Sequence, residues 1–125
     1  MSNIIEEEYI SFETAKLAKE KGLDILCDIG YYIDSGVVDY IRDDYKNMFY
    51  PRPTQSLLAR WLREVHNMCV EVYSTGYGFI WCICDTDSGT DRRFSNETGS
   101  NDSGAWDTYE DAMEAGLQEA LRLIK

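Results

Sequence analysis

Long hydrophobic runs are missing from this sequence, and so is the basic-then-apolar start of a secretory signal. No stretch approaches the roughly 18 consecutive apolar residues of a membrane-spanning helix. We therefore expect a cytoplasmic protein that makes no contact with a membrane. Histidine is also scarce, since His66 is the only one, and no catalytic motif surrounds it. We accordingly predict no catalytic residue and no enzymatic activity.

Basic residues are the minority charge. The chain has 12 Lys and Arg against 23 Asp and Glu, which gives a net charge of −11. This charge repels the phosphates of DNA and RNA, so direct nucleic-acid binding is not expected. Residues 67–125 hold more of the acidic excess than residues 1–66. An acidic face that imitates a nucleic acid, or that meets a basic protein, is therefore an alternative function.

The length and composition indicate one domain. The chain has 125 residues, of which 44% are hydrophobic and 13% aromatic, enough to build a core. No long linker divides it, so residues 1–125 are predicted to form a single domain. Three of the four cysteines lie among strand-like apolar residues, where a free thiol behaves as a small hydrophobic group. Disulfides are not expected without a secretory signal.

Three segments carry helix signals, over residues 11–22, 54–66 and 108–124. Each begins at a hydroxyl residue suited to capping the free N–H groups of the first turn, namely Ser11, Thr54 and Thr108. Gly22 follows the first helix at the position that favours a left-handed backbone. The predicted buried face of the second helix comprises Leu57, Leu58, Trp61, Leu62 and Val65.

Two regions have strand-like patterns. Residues 25–41 predict a hairpin with strands at 25–27, 29–33 and 37–41, and a turn at 34–36. Residues 68–97 predict a second hairpin, with a further weak strand beginning near Arg92. The expected fold class is therefore α+β, a single compact domain with an antiparallel sheet packed against helices in the order α-β-β-(α)-β-β-(β)-α. The first hairpin is expected to pack against the same sheet as the second.

The helical segments also carry a resemblance. The pattern ISFETAKLAKEKG, then PTQSLLARWLREVHN, then DTYEDAMEAGLQEAL resembles small proteins encoded by phages and prophages of gut bacteria. The blocks cover about half of the chain and stand in the same order. They are helical framework and transfer no functional residue. A phage accessory protein of this size implies host manipulation or evasion of host defence.

Arginines and aromatic rings near predicted turns form the candidate ligand-binding set. Rings stack on nucleobases, and the arginine fork holds phosphate through two bonds, even in an acidic protein. The loop at 95–104 would then be either a lid or a plain connection. The alternative is that the tryptophans are core anchors and that the arginines pair with surplus acids. The candidate residues are Tyr50, Arg52, Tyr77, Arg92, Arg93 and Trp106.

One arrangement has metal-like ligands, His66-x-x-Cys69 with Cys82-x-Cys84. Its spacing is not that of a standard zinc knuckle, and buried or half-buried thiols account for it, so we predict neither a metal nor a cofactor. The alternating carboxylates of residues 85–91 depart from a calcium loop because the glycine is fifth where the motif needs it sixth. A solvated hairpin loop is predicted there.

The sequence thus predicts a non-enzymatic, phage-type counter-defence protein that binds and sequesters a small nucleotide signalling molecule. We expect a homo-oligomer whose subunits complete the pocket between them. The alternative is an acidic protein-interaction inhibitor that imitates nucleic acid and blocks a host defence protein or nucleic-acid-binding protein.

Overall fold

The computed structural model describes residues 5–125. Its three α-helices flank two groups of three strands, with a short 3-10 helix at Asp43–Met48 in the first group. In chain order the elements are α1 Phe12–Glu20, β1 Ile29–Tyr32, β2 Val38–Tyr40, β3 Phe49–Pro51, α2 Gln55–His66, β4 Met68–Ser74, β5 Phe79–Asp85, β6 Asp91–Phe94 and α3 Tyr109–Leu123. No helix within residues 5–125 is both long enough and apolar enough to cross a membrane.

The chain has the predicted α+β fold, with antiparallel strands packed against helices. The strands form two three-stranded sheets, ordered β2-β1-β3 and β4-β5-β6. The first hairpin therefore belongs to a sheet of its own, which differs from our prediction. Strand β3 pairs with β1 along the edge opposite β2 and completes this first sheet. A three-residue strand is too short to display alternation in the sequence.

The helices begin where the capping residues predict. The hydroxyl of Ser11 accepts the N–H of Thr14 at 3.2 Å, and Thr108 accepts the N–H of Asp111 at 3.0 Å. Thr54 caps α2 in the same way. Gly22 follows α1 with a φ of +91°, a left-handed conformation that glycine adopts without strain.

Two sequence predictions about local structure are wrong. Residues 25–27 form no strand, and Leu26 is 98% exposed. On α2, Leu57 and Val65 are exposed, although their spacing placed them on the buried face. The helix contacts β4 and α3 along one narrow stripe, so the hydrophobic side chains that it buries fully are Leu58 and Leu62, with Trp61 nearly so. The width of the buried stripe depends on these neighbours and not on the period of the helix.

The core lies between α3 and the sheet β4-β5-β6. Leu117 and Leu121 on α3 are fully buried, as is Ile83 on β5. Gly116 lets the helix approach the sheet, because a Cβ atom at that position would lie 2.8 Å from Cγ1 of Val70. The close approach of α3 at Gly116 lets the neighbouring side chains Leu117 and Leu121 pack into the core.

Glu114 ties the three helices together. Its carboxylate accepts the backbone N–H of Ser11 at 2.9 Å, the hydroxyl of Thr14, and the amide Nε2 of Gln55 at 2.9 Å. These donors stand at the beginning of α1 and of α2, whereas Glu114 lies in the middle of α3. Gln118, one turn further along α3, donates to Thr14 at 2.9 Å. One carboxylate thus joins segments about a hundred residues apart in the chain.

We expect Glu114→Ala to lower the free energy of unfolding by about 2–4 kcal/mol, because it leaves partly buried donors on two helices without an acceptor. Glu64→Ala is the matched control, since Glu64 pairs with Arg60 on the exposed face of α2. That variant should lose less than about 0.5 kcal/mol. Urea denaturation followed by circular dichroism measures both. Equal losses in the two variants would contradict the role given to Glu114.

Candidate functional site

A cleft with a volume of about 470 Å³ opens between α3 and the strands β5 and β6. We call it the arginine cleft. Its volume lies within the range of about 300–1,000 Å³ that is usual for small-ligand sites. The lining residues are Trp81, Arg93, Phe94, Ser95, Asn96, Thr98, Trp106, Ala115, Gln118, Glu119 and Arg122.

Two elements supply the charged groups of the arginine cleft. Arg93 stands opposite Ile83 in the β5–β6 register, and Ile83 is buried beneath α3, so Arg93 shares the sheet face that this helix covers. Arg122 comes from the last turn of α3. Glu119 lies between them, 3.3 Å from Arg93 and 3.5 Å from Arg122. One carboxylate therefore faces two guanidinium groups, and this trio carries a net positive charge.

Two tryptophans supply the aromatic surfaces. Trp106 is half-buried and is held by a bridge to Phe79, with backbone N–H to O distances of 2.7 and 2.9 Å. Trp81 is buried, and its indole Nε1 has no hydrogen-bond partner among the described residues. Buried donors almost always find an acceptor. This N–H is enclosed by protein and is therefore an unsatisfied donor of the core.

The loop at 95–104 forms one wall of the cleft. Gly99 donates its N–H to the Gly104 carbonyl at 2.8 Å within the loop, and Asn101 donates its side-chain amide to the Tyr77 carbonyl of the β4–β5 turn at 3.0 Å. Asn96 and Glu97 both have positive φ angles, a conformation that turns the chain sharply. The loop thus packs upon itself beside the cleft.

The structure brings together two of the six predicted binding residues. Arg93 and Trp106 both line the arginine cleft. Arg92 is not among its lining residues, and its guanidinium lies 3.5 Å from Asp85. Tyr77 lies in the β4–β5 turn with a ring that is 76% exposed. The adjacent residues Arg92 and Arg93 therefore lie in different surroundings, Arg92 beside Asp85 and Arg93 in the arginine cleft.

The other two predicted residues belong to the first sheet and its surroundings. The guanidinium of Arg52 lies 4.2 Å from the ring centre of Tyr9, and its Nε donates to the Tyr31 hydroxyl at 3.1 Å. The ring of Tyr50 packs against Phe12, with centroids 5.6 Å apart. These contacts hold α1 and the first sheet together, and neither Tyr50 nor Arg52 lines the arginine cleft.

Sequence reasoning missed the contribution of α3. Ala115, Gln118, Glu119 and Arg122 recur at helical spacing and make a second stripe beside the buried one. Their spacing was visible in the sequence. The sequence did not show that this stripe lines a cleft, because an acidic and a basic residue three positions apart, such as Glu119 and Arg122, also suit a solvated helix face.

The opposite face of the second sheet carries three thiols and two carboxylates. We call it the thiol face, made of Cys69, Glu71, Cys82, Cys84 and Asp91. The thiols of Cys69 and Cys84 lie with a Glu71 oxygen within 4.8 Å of one another, and so do those of Cys82 and Cys84 with an Asp91 oxygen. The spacing in the sequence grouped His66 with these three cysteines. In the structure His66 is not part of the thiol face, because its imidazole packs against the ring of Trp61, with centroids 4.7 Å apart.

Burial and the neighbouring acids keep the thiol face protonated at neutral pH. Burial and then a hydrogen bond to Asp91 raise the pKa of Cys82 to about 11. Burial and the charge of Glu71 raise the pKa of Cys69 and of Cys84. The hydrogen bond that Tyr73 donates to Glu71, at 2.9 Å, raises the pKa of Tyr73 to about 12. The metal-free thiols are therefore poor nucleophiles.

We expect Cys82 in the metal-free folded protein to react with iodoacetamide at pH 8 roughly tenfold more slowly than in the unfolded chain. Its thiolate fraction is roughly a hundredth of the ordinary one, and the greater nucleophilicity of a more basic thiolate recovers part of this. Asp91→Asn removes the negative charge beside Cys82, which lowers the pKa of Cys82 and should speed the reaction. Site-resolved mass spectrometry measures the rates, and Cys27 serves as the thiol whose rate Asp91→Asn should leave unchanged. No acceleration at Cys82 would contradict the effect of Asp91.

The arginine cleft combines two guanidinium groups with the half-buried indole of Trp106. Such a set binds a flat ring and an anionic group together. No protein-family model, curated protein or solved structure matches this chain, so its function has to follow from the side chains themselves.

Proposed function

We propose that this protein binds a small nucleotide in the arginine cleft and sequesters it without catalysis, as a phage-type counter-defence protein. The observation that carries the proposal is the pairing of Arg93 and Arg122 around one carboxylate beside Trp106. Phosphate would occupy the guanidinium side, and the base would stack on the tryptophan side.

The two arginines are available to a ligand. Both side chains are more than half exposed, at 53% for Arg93 and 58% for Arg122. Each guanidinium group has several N–H donors, and Glu119 lies near one nitrogen of each, so the remaining donors are open to a phosphate group. A locally positive cleft in a chain of net charge −11 also directs an anion to this place and away from the rest of the surface.

The chemistry of the lining supports binding without turnover. Its single carboxylate, Glu119, is held by two guanidinium groups and is not free to act as a base. The lining contains no histidine, lysine or cysteine. A hydrolase would need a base and a nucleophile within hydrogen-bond reach of each other. The resemblance to phage-encoded proteins supports sequestration as the use of such binding.

We expect Arg93→Ala to weaken nucleotide binding by about 10- to 100-fold, which is the loss of one charge-assisted contact. Arg92→Ala is the matched control, because it removes the same group one position away and outside the cleft. Isothermal titration calorimetry with mono-, di- and cyclic nucleotides measures both variants, and chromatography of the released ligand should return it unchanged.

Three results would overturn this proposal. They are the absence of binding by any nucleotide tested, an equal loss of affinity in Arg92→Ala and Arg93→Ala, and chemical conversion of the ligand. Trp106→Ala adds a second check, since loss of base stacking should reduce affinity by about 1–3 kcal/mol.

We further propose that the protein acts as a homo-oligomer. Strand β6 lies at the edge of its sheet beside the arginine cleft, and all four of its residues are exposed. An unpaired strand edge is a template for a second chain. We expect light scattering coupled to size-exclusion chromatography to give a mass above one chain, and Phe94→Lys on this edge to lower it. A monomer at all concentrations would contradict assembly.

A second candidate function rests on the acidic groove beside α3. Glu6, Glu7, Glu8 and Glu110 line it together with Tyr109, and its volume is about 260 Å³. Such a surface favours a basic partner, as expected of a nucleic-acid mimic that inhibits a host defence protein. Binding of that kind weakens steeply as salt rises, whereas a nucleotide stacked in a cleft is less sensitive. A captured host protein whose affinity is unchanged by salt would count against mimicry.

A further inference from the structure

The thiol face is built by an irregularity in the sheet. The register of β5 and β6 pairs Ile83 with Arg93 and then shifts, so that Cys84 stands opposite Asp91. Regular pairing would place Arg92 there, and the bulge replaces its positive charge by a carboxylate. Arg92 instead pairs with Asp85. Bulges often re-aim side chains beside functional sites.

Three strands form two triads of ligand atoms that share Cys84, one with Cys69 and Glu71 and the other with Cys82 and Asp91. Cys69 on β4 is opposite Cys84 on β5, and Asp91 on β6 is opposite Cys84 from the other side. Cys82 is two residues before Cys84, so both point to the same face of the sheet. The thiol of Cys84 lies within 4.8 Å of those of Cys69 and Cys82. Cys84 is therefore the centre of the cluster.

Each thiol proton already faces an acceptor. Cys69 donates to Glu71 at 3.6 Å, Cys82 to Asp91 at 3.4 Å, and Cys84 to the carbonyl of Cys69 at 3.8 Å. A thiol cluster with acceptors on its protons and two carboxylates among them has the ligands that a soft divalent cation uses. Glu71 also accepts the hydroxyl of Tyr73, which occupies its second oxygen. Asp91 is the carboxylate with the freer oxygens.

We propose that the thiol face binds one Zn²⁺ ion per chain, held by the sulfurs of Cys69, Cys82 and Cys84 and by a carboxylate oxygen of Asp91. Four ligands of this kind suit the tetrahedral preference of zinc. The three sulfurs lose their protons to solvent as the ion enters, so that one Zn²⁺ replaces three H⁺ and no electron is transferred. Cys69 lies in a different triad from Cys82 and Asp91, so binding requires its side chain to rotate toward them.

The consequence for the fold is a clamp across all three strands. The four ligands come from β4, β5 and β6, so the ion would join the edge strand β6 to the rest of the sheet. Arg93 extends from the same strand toward the arginine cleft. Zinc bound on the thiol face would thereby fix β6, the strand that places the Arg93 guanidinium in the arginine cleft on the opposite face of the sheet. This inference does not depend on the ligand proposed for the cleft.

The experiment is metal loading of the full chain with Zn²⁺, followed by desalting and elemental analysis. We expect one zinc per chain in the natural sequence and in Cys27→Ser, whose thiol lies outside the cluster and is the matched control. Cys84→Ser should retain less than about a tenth of the metal. Asp91→Asn should weaken binding by about 10- to 100-fold, with circular dichroism showing that it remains folded.

Cobalt gives a direct view of the ligands. Co²⁺ bound through three thiolates should show an intense sulfur-to-metal charge-transfer absorption, which Cys69→Ser should reduce and Cys27→Ser should not. The proposal is overturned if the protein keeps no zinc after desalting. It is also overturned if Cys84→Ser and Cys27→Ser keep equal amounts, or if Co²⁺ binds without the sulfur absorption. Should Cys84→Ser fail to fold, Asp91→Asn and the cobalt spectrum of Cys69→Ser decide the outcome.

Discussion

The carboxylate of Glu114 is the constraint on which the arrangement of the helices depends. It accepts hydrogen bonds from the starts of α1 and α2 while standing inside α3. A partly buried carboxylate is costly unless donors surround it, so the three helices are stable together in this arrangement and not in another. Gly116, two residues on, then allows α3 to lie directly on the sheet. Arg122 comes to the cleft because α3 is held in this way.

The two faces of the second sheet have different chemistry, and strand alternation explains why. On the side of α3 lie Trp81 and Arg93, which shape a cleft for an aromatic anion. On the other side lie the thiols, with carboxylates that favour a cation. The bulge between Ile83 and Cys84 keeps these sets apart, since it sends the charge of Arg92 to Asp85 and brings Asp91 to the thiols. A proposed anion-binding cleft and a proposed cation-binding face can thus lie on opposite sides of the same three short strands.

Much of the fold could be predicted because its signals are local. Hydroxyl caps and helical periodicity located α1, α2 and α3 to within about two residues, and alternation located β4 and β5. Strand β3 was missed because three residues show no period. Of the candidate site, Arg93 and Trp106 were named from their residue types. Arg122 was not named. It meets Arg93 only through Glu119, which both arginines contact, and these positions are about thirty residues apart in sequence and come together only when α3 packs on the sheet.

The sequence by itself determined the α+β class, the starts of the helices and the strong acidic excess, because capping, periodicity and charge act over a few residues. Tertiary structure decided which of the six proposed ligand-binding residues meet. It separated Tyr50 and Arg52 from the cleft by placing them with the first sheet, and it replaced His66 by Asp91 beside the thiols. The physical reason is that strand pairing, a one-residue bulge and the seating of a helix are set by contacts between distant segments.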